Sequence, residues 1–173
     1  MDLGIAGRRA LLCGSTRGLG LACAESLARE GVDLVINGRS GAAEVAAELA
    51  AAFDVSVLGV DADLNTEAGR SALLDACPEP DILVTNNAGP PPSMFVDTTP
   101  EAWQAALTAN LLAPLQMIQA VLPGMRARRF GRIVNITSAM VTTPNVLMTP
   151  SVAARAGLTG VTKASRVTAP SIT

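Results

Sequence analysis

Five short apolar runs recur along the chain without polar alternation: Arg9 to Cys13, Val32 to Asn37, Val55 to Val60, Ile82 to Thr85 and Arg132 to Thr137. A strand with one wet face alternates apolar and polar side chains, whereas a run that does not alternate is covered on both faces, as in a parallel sheet. Parallel neighbours need a crossover between them. The intervening segments Leu19 to Glu30, Gly41 to Phe53, Thr66 to Ala76 and Pro100 to Arg128 all carry helical periodicity. The pattern predicts an α/β fold with a doubly wound parallel sheet. With 173 residues, 49% of them hydrophobic, the chain fills one core, so residues 1–173 read as a single domain. Local signals agree: Gly31 ends the first helix, Ser40 can cap the second, and Thr99-Pro100-Glu101 opens the fourth.

Right-handed crossovers place the C-terminal ends of all strands on one edge, where open α/β sheets bind ligands. After the first run stand Gly14, Ser15, Thr16, Arg17, Gly18, Leu19 and Gly20, a G-x-x-x-G-x-G turn opening into a helix. Unpaired N–H groups of a first helical turn and the positive end of the helix dipole suit a pyrophosphate there. The same glycines also serve as plain punctuation between a strand and a helix, and both readings stand at this point.

Arg39 follows the second run, where an acidic side chain would hold the adenosine ribose hydroxyls of NAD. Two guanidinium groups, Arg17 and Arg39, favour a 2′-phosphate and hence NADP(H) over NAD(H); the alternative is solvated surface arginines. Asp63 and Leu64, after the third run, are placed to accept from an adenine amino group and to pack on its ring, or simply to form a turn. Asn86-Asn87-Ala88-Gly89, after the fourth, is a small-residue loop that admits a flat ligand, and Pro90-Pro91-Pro92 stiffens the chain beyond it.

Several function classes fall away. The formal charge of −2 gives no electrostatic footprint for nucleic acid or an anionic membrane. The absence of histidine removes any imidazole base and any Ser-His-Asp mechanism. Cys13, Cys23 and Cys77 show no ligand spacing and read as buried small hydrophobes in a reducing, cytoplasmic setting, with no metal site. Arg126, Arg128, Arg129 and Arg132 follow a helix and read as solvated charges. No apolar run is read as a membrane span, and Met1-Asp2-Leu3-Gly4 is not a signal peptide.

The glycine turn, Asp63-Leu64, Asn86-Asn87-Ala88-Gly89, Asn110 and Ile133-Val134-Asn135-Ile136-Thr137-Ser138, in this order, resemble the short-chain dehydrogenase/reductase family from about Gly7 to about Thr162. Within it the chain looks most like the 3-oxoacyl-acyl-carrier-protein reductase type. The resemblance implies a Rossmann domain that binds NAD(P) through Gly14 to Gly20, Arg39, Asp63, Leu64 and Asn87, Ala88 and Gly89. It implies hydride transfer between nicotinamide and a small carbonyl or alcohol substrate, and homo-oligomers, commonly tetramers, paired through the helix Pro100 to Arg128 and the helix from Ser151.

Family catalysis uses an Asn, a Ser, a Tyr and a Lys, and Asn110 and Ser138 match the first two. Pro114 has no N–H for the Asn110 carbonyl, which is thereby freed to hold a water or merely marks a kink. Ser138 would orient a carbonyl, or cap a strand end. The chain holds no tyrosine; Ser151 falls at the Tyr position and Arg155 at the Lys position. A phenol can be tuned to release its proton near neutrality, and an aliphatic hydroxyl cannot. An active oxidoreductase, an NADP-binding pseudoenzyme serving as sensor or oligomer partner, and an enzyme whose substrate carries its own acid therefore remain open. Family members run to roughly 250 residues. Residues 1–173 are accordingly read as lacking the family's C-terminal part, with Ser171-Ile172-Thr173 near the start of a sixth strand.

Overall fold

A computed structural model describes residues 3–167. Five strands, β1 (Arg9–Leu12), β2 (Asp33–Gly38), β3 (Val57–Asp61), β4 (Ile82–Thr85) and β5 (Arg132–Asn135), form one sheet in the order β3-β2-β1-β4-β5. Every pairing is parallel. This is a Rossmann-type α/β fold. In the inner strands the unalternating runs have the predicted cause: Leu11 and Leu12 of β1 and Leu83 of β4 are 0% exposed, because apolar clusters cover both sheet faces, whereas in the edge strands Leu58 of β3 is 51% and Val134 of β5 49% exposed, and the expectation of two covered faces fails there.

The helices are α1 (Gly18–Arg29), α2 (Ala42–Ala52), α3 (Glu67–Ala76), α4 (Pro100–Leu107), α5 (Ala113–Ala127) and α6 (Thr149–Val167). One cluster joins Ala24 and Ala28 of α1 and Ala46 and Leu49 of α2 to alternate β1, β2 and β4 residues; the other joins Leu73 of α3 and Met117, Val121 and Met125 of α5 to the opposite face. Thr66 and Thr99 cap α3 and α4, accepting from Gly69 N–H at 3.0 Å and Ala102 N–H at 3.2 Å. Residue contacts divide the chain into two compact units, 1–86 with 117–136, which holds the whole sheet, and 87–116 with 137–173.

Four expectations need correction. Ser40 does not cap α2. The N-cap is Gly41, at φ 73°, and Ala42 N–H donates to Asp61 Oδ1 at 2.8 Å, so the cap comes from the end of β3. The segment Pro100 to Arg128 is not one regular helix. A π turn, Thr108–Leu112, separates α4 from α5, with Ala113 N–H reaching back to the Thr108 carbonyl. In an α-helix the Pro114 ring would clash with the carbonyl four residues back, and widening the turn relieves that clash.

Among the described residues, Pro100–Ala127 is long enough, and in an 18-residue window of mean hydropathy 1.4 apolar enough, to cross a membrane, contrary to the expectation. Within the sheet unit that apolar content serves the core, where Met117 and Met125 are 1% exposed. The arginines after α5 are not all solvated. Arg128 pairs with Glu79 at 3.3 Å and donates to the Pro80 carbonyl at 2.9 Å, while Arg8 and Arg132 lie over the Phe130 ring at 3.8 and 4.8 Å. Residues 168–173, which include the expected start of a sixth strand, lie outside the described residues.

Candidate active site

In the sheet unit the glycine turn follows β1. Gly14 and Gly18 sit at φ 53° and 58°, the left-handed region that a side chain disfavours. At Gly20 the constraint is spatial: a Cβ would collide with the Gly14 carbonyl and lie 2.8 Å from Ser15 Cα, so only glycine lets α1 begin against the loop. Arg17 is the N-cap of α1 and gives it no side-chain bond, and the first turn carries no acid. The N–H groups there are left for an outside acceptor. Arg17, Gly18 and Leu19 are exposed, Leu19 by 69%, so the turn is open to a ligand.

The loop is held by residues whose part the sequence did not reveal. Asn37, 2% exposed at the end of β2, accepts from Gly14 N–H at 3.3 Å and donates to the carbonyls of Gly38, Val60 and Ala62 at 3.1 to 3.2 Å. Asn86 donates to the Gly14 carbonyl at 2.8 Å. A buried amide with its partners satisfied fixes the loop before any ligand arrives. The one available signal was a polar residue closing an otherwise apolar buried strand.

Ser15, expected among the binding residues, is part of this frame. Fully buried, it donates its hydroxyl to the Leu12 carbonyl at 2.9 Å and its N–H to the Asn37 carbonyl at 2.7 Å. Thr16 lies against Gly38, where a Cβ would come within 2.6 Å of its Oγ1. Arg39, next in the chain, is exposed. Beneath the turn, burial pushes the Cys13 thiol up to about 12.

Asp63 is exposed and accepts from Asn65 N–H at 2.9 Å, closing a turn. Leu64 is 5% exposed within the core cluster of Leu11, Leu73 and Leu83, so its side chain packs inward. The turn puts the carboxylate outside and the leucine inside.

The second unit gathers the reacting-end candidates. Asn110, 4% exposed in the π turn, donates from Nδ2 to the Ala88 carbonyl at 3.2 Å, tying the turn to the Asn87-Ala88-Gly89 loop. Ser151, 1% exposed in the first turn of α6, accepts from Arg155 Nη1. Both terminal nitrogens of Arg155 lie 3.6 Å from where a Cβ on Gly89 would stand. Asn110, Ala88, Gly89, Arg155 and Ser151 are thus one neighbourhood. Ser138 accepts from Met140 N–H at 3.2 Å, capping the 3₁₀ turn Ala139–Val141, and no hydrogen bond among the described residues joins it to the others.

Comparison with known proteins settles the lineage. A family profile described as short chain dehydrogenase matches residues 8–170. The chain belongs to the short-chain dehydrogenase family. It is 36% identical over 172 residues to the 3-oxoacyl-[acyl-carrier-protein] reductase FabG of Aquifex aeolicus, covering 94% of this chain and 68% of that protein. It is 32% identical over 162 residues to the D-beta-hydroxybutyrate dehydrogenase of Cupriavidus necator, covering 91% and 63%. The L-sorbose reductase of Gluconobacter frateurii, solved with NADPH and L-sorbose, superposes with a TM-score of 0.91 at 31% identity, over 96% of this chain and 66% of that one.

The chain therefore spans about two thirds of the length of these short-chain dehydrogenases. The 3-oxoacyl reductase relatives support the expected branch of the family. The phosphate turn, with glycines at 14, 18 and 20 and an uncapped α1, fits the diphosphate of a nicotinamide dinucleotide.

Proposed function

We propose that the protein is an NADP-preferring oxidoreductase that interconverts a carbonyl and an alcohol. The observation that carries this reading is the uncapped α1 turn behind Gly14, Gly18 and Gly20 in a member of the short-chain dehydrogenase family. When bound, the cofactor supplies the hydride that forms the new C–H bond. Backbone N–H groups from Gly18 to Gly20 and Thr16 hold the diphosphate. Arg17 and Arg39 supply two cations for a 2′-phosphate, and Asp63 an acceptor for the adenine amino group. The small Asn87-Ala88-Gly89 loop leaves room for the nicotinamide.

At the reacting end, Ser138 has its oxygen accepting from Met140 and its proton free to donate to a substrate oxygen. Ser151 likewise accepts from Arg155 and has a proton to donate, polarised by the neighbouring cation. Neither hydroxyl ionises near neutrality, so the proton that ends on the substrate oxygen comes from water. Asn110 holds the Ala88 carbonyl and, with it, the loop. Burial lowers the pKa of Arg155 from the usual arginine value, but the fork stays cationic over the working range.

We place the protein in the cytoplasm, in line with its three free thiols. We assign it a homo-oligomeric state, dimer or tetramer, paired through α4, α5 and α6; exposed Leu112 and Val161 offer apolar surface for this. Nucleic acid and membrane stay outside this proposal. In its working state we take residues 1–173 as part of one dinucleotide-binding domain. The pseudoenzyme reading rests on the missing tyrosine alone.

Fluorescence titration with NADPH and NADH, followed by turnover on a panel of carbonyl compounds, decides among the readings. Tighter NADPH binding with turnover that rises towards low pH supports the enzyme. Binding without turnover selects the sensor or partner role, and no nucleotide binding rejects both.

A further inference from the structure

Asp61 is tied to both ends of the loop that carries Arg39. It closes β3 in register with Gly38, the last residue of β2, whose carbonyl accepts from Ala62 N–H at 2.8 Å. Its Oδ1 accepts from the N–H of Ala42, the first residue of α2, at 2.8 Å. Arg39, Ser40 and Gly41 span the stretch between those two anchors, so the carboxylate stands beside the loop that follows β2, where a dinucleotide's adenosine ribose is received.

The bond to Ala42 explains an oxygen at position 61 but not a charge. A neutral Asn or Ser caps a helix about as well as Asp. Asp61 is exposed, and its Oδ2 has no hydrogen-bond partner among the described residues. Arg39 is exposed too, and the ion pairs among the described residues, Arg8 with Asp81, Arg29 with Glu25 and Arg128 with Glu79, leave both of them out. A phosphate arriving at Arg39 therefore meets a carboxylate where a bare helix end would have offered a positive pole. An unphosphorylated ribose meets an acceptor for its hydroxyl instead.

We infer that Asp61 is a specificity-determining residue for the nucleotide: it repels the 2′-phosphate of NADPH, accepts from the ribose hydroxyl of NADH, and so moderates the NADPH preference that Arg17 and Arg39 confer. This role rests on the glycine turn holding a nicotinamide dinucleotide. Specificity is a difference of two affinities, and one carboxylate moves the two in opposite directions.

The test is fluorescence titration of the wild-type protein and of Asp61→Asn with NADPH and with NADH, at low and at physiological ionic strength. Asparagine keeps an oxygen for Ala42 N–H and removes the charge. Asp61→Asn is expected to bind NADPH about threefold tighter and NADH about threefold weaker, so the affinity ratio rises by about tenfold. The NADPH gain shrinks as salt rises, since the carboxylate is exposed, while the NADH loss, a hydrogen bond, persists. Glu44→Gln, which neutralises the acid in the first turn of α2, shifts the ratio less.

An unchanged ratio in Asp61→Asn with both nucleotides bound, or an equal shift in Glu44→Gln, overturns the role of Asp61 and leaves the nucleotide site standing. Failure of both nucleotides to bind the wild type overturns the nucleotide reading and this role with it. If Asp61→Asn does not fold, Asp61→Ser, which also caps and carries no charge, decides by the same ratio.

Discussion

The sheet unit and the helical unit treat their polar groups in opposite ways. Around the glycine turn every buried polar side chain is spent inside the protein: Asn37 serves three carbonyls and one N–H, and Ser15 serves Leu12 and Asn37. Around Ser151, among the described residues, the guanidinium of Arg155 meets a single hydroxyl and Thr149 Oγ1 is buried without a partner. A finished frame positions a ligand, and an unfinished one waits for it.

The sharpest way to break this contrast is to restore a tunable phenol to the helical unit. Ser151→Tyr with Arg155→Lys is expected to raise carbonyl reduction by about 10²- to 10⁴-fold, the usual worth of a positioned general acid. Because Ser151 is 1% exposed, the larger ring costs about 1–3 kcal/mol of stability, read as a lower Tm. Unchanged turnover in a folded double variant would remove Ser151 and Arg155 from the reacting end.

Spoiling the finished frame comes next. Gly20→Ala sets a methyl against the Gly14 carbonyl and should weaken NADP(H) binding by about 100-fold, ~2.7 kcal/mol, in a fluorescence titration. Retained affinity would move the diphosphate away from this turn.

Alkali should strain the sheet unit in particular, since all three cysteines lie in it. Burial raises Cys13 from 9.0 to about 12 and Cys77 from 9.0 to about 11. An unfolded chain has lost both protons by pH 10 while the folded one keeps them, so stability is full below about pH 9 and falls above it. The slope is about 1.4 kcal/mol per pH unit for each thiol until its folded pKa is reached. Urea unfolding between pH 8 and 11 measures this, and Cys13→Ala should flatten the fall.

Smaller effects sharpen the same comparison. Arg39→Ala should reduce the preference for NADPH over NADH by about tenfold, ~1.4 kcal/mol, without touching the reacting end. Thr66→Ala removes only the α3 cap and should cost about 1 kcal/mol of stability, with nucleotide affinity unchanged.

The sheet was legible because its cause is local. Arg9, Ile82 and Arg132 open strands where the apolar runs open, and Thr66 and Thr99 cap helices through bonds that span three residues. What stayed hidden depends on distant partners. The α2 cap reaches back from Asp61, 19 residues on, and Asn37 finds Val60 and Ala62 only once β2 and β3 are paired. Leu64 could not be assigned to core or ligand until α3 and the sheet closed over it. At the reacting end, Pro114 signalled a disturbance near Asn110, but the sequence could not say whether it would kink or widen the helix.

That widened turn sets the phase of everything after it. Helical side chains advance about 100° per residue, so a loop of backbone holding one extra residue turns the later stripe by that angle against the earlier one. Ala106 before the turn and Met117, Val121 and Met125 after it are all buried. Deleting a single residue between 108 and 112 would restore α-helical spacing and press the Pro114 ring on the carbonyl four residues back, so one surplus residue is what makes that proline tolerable there.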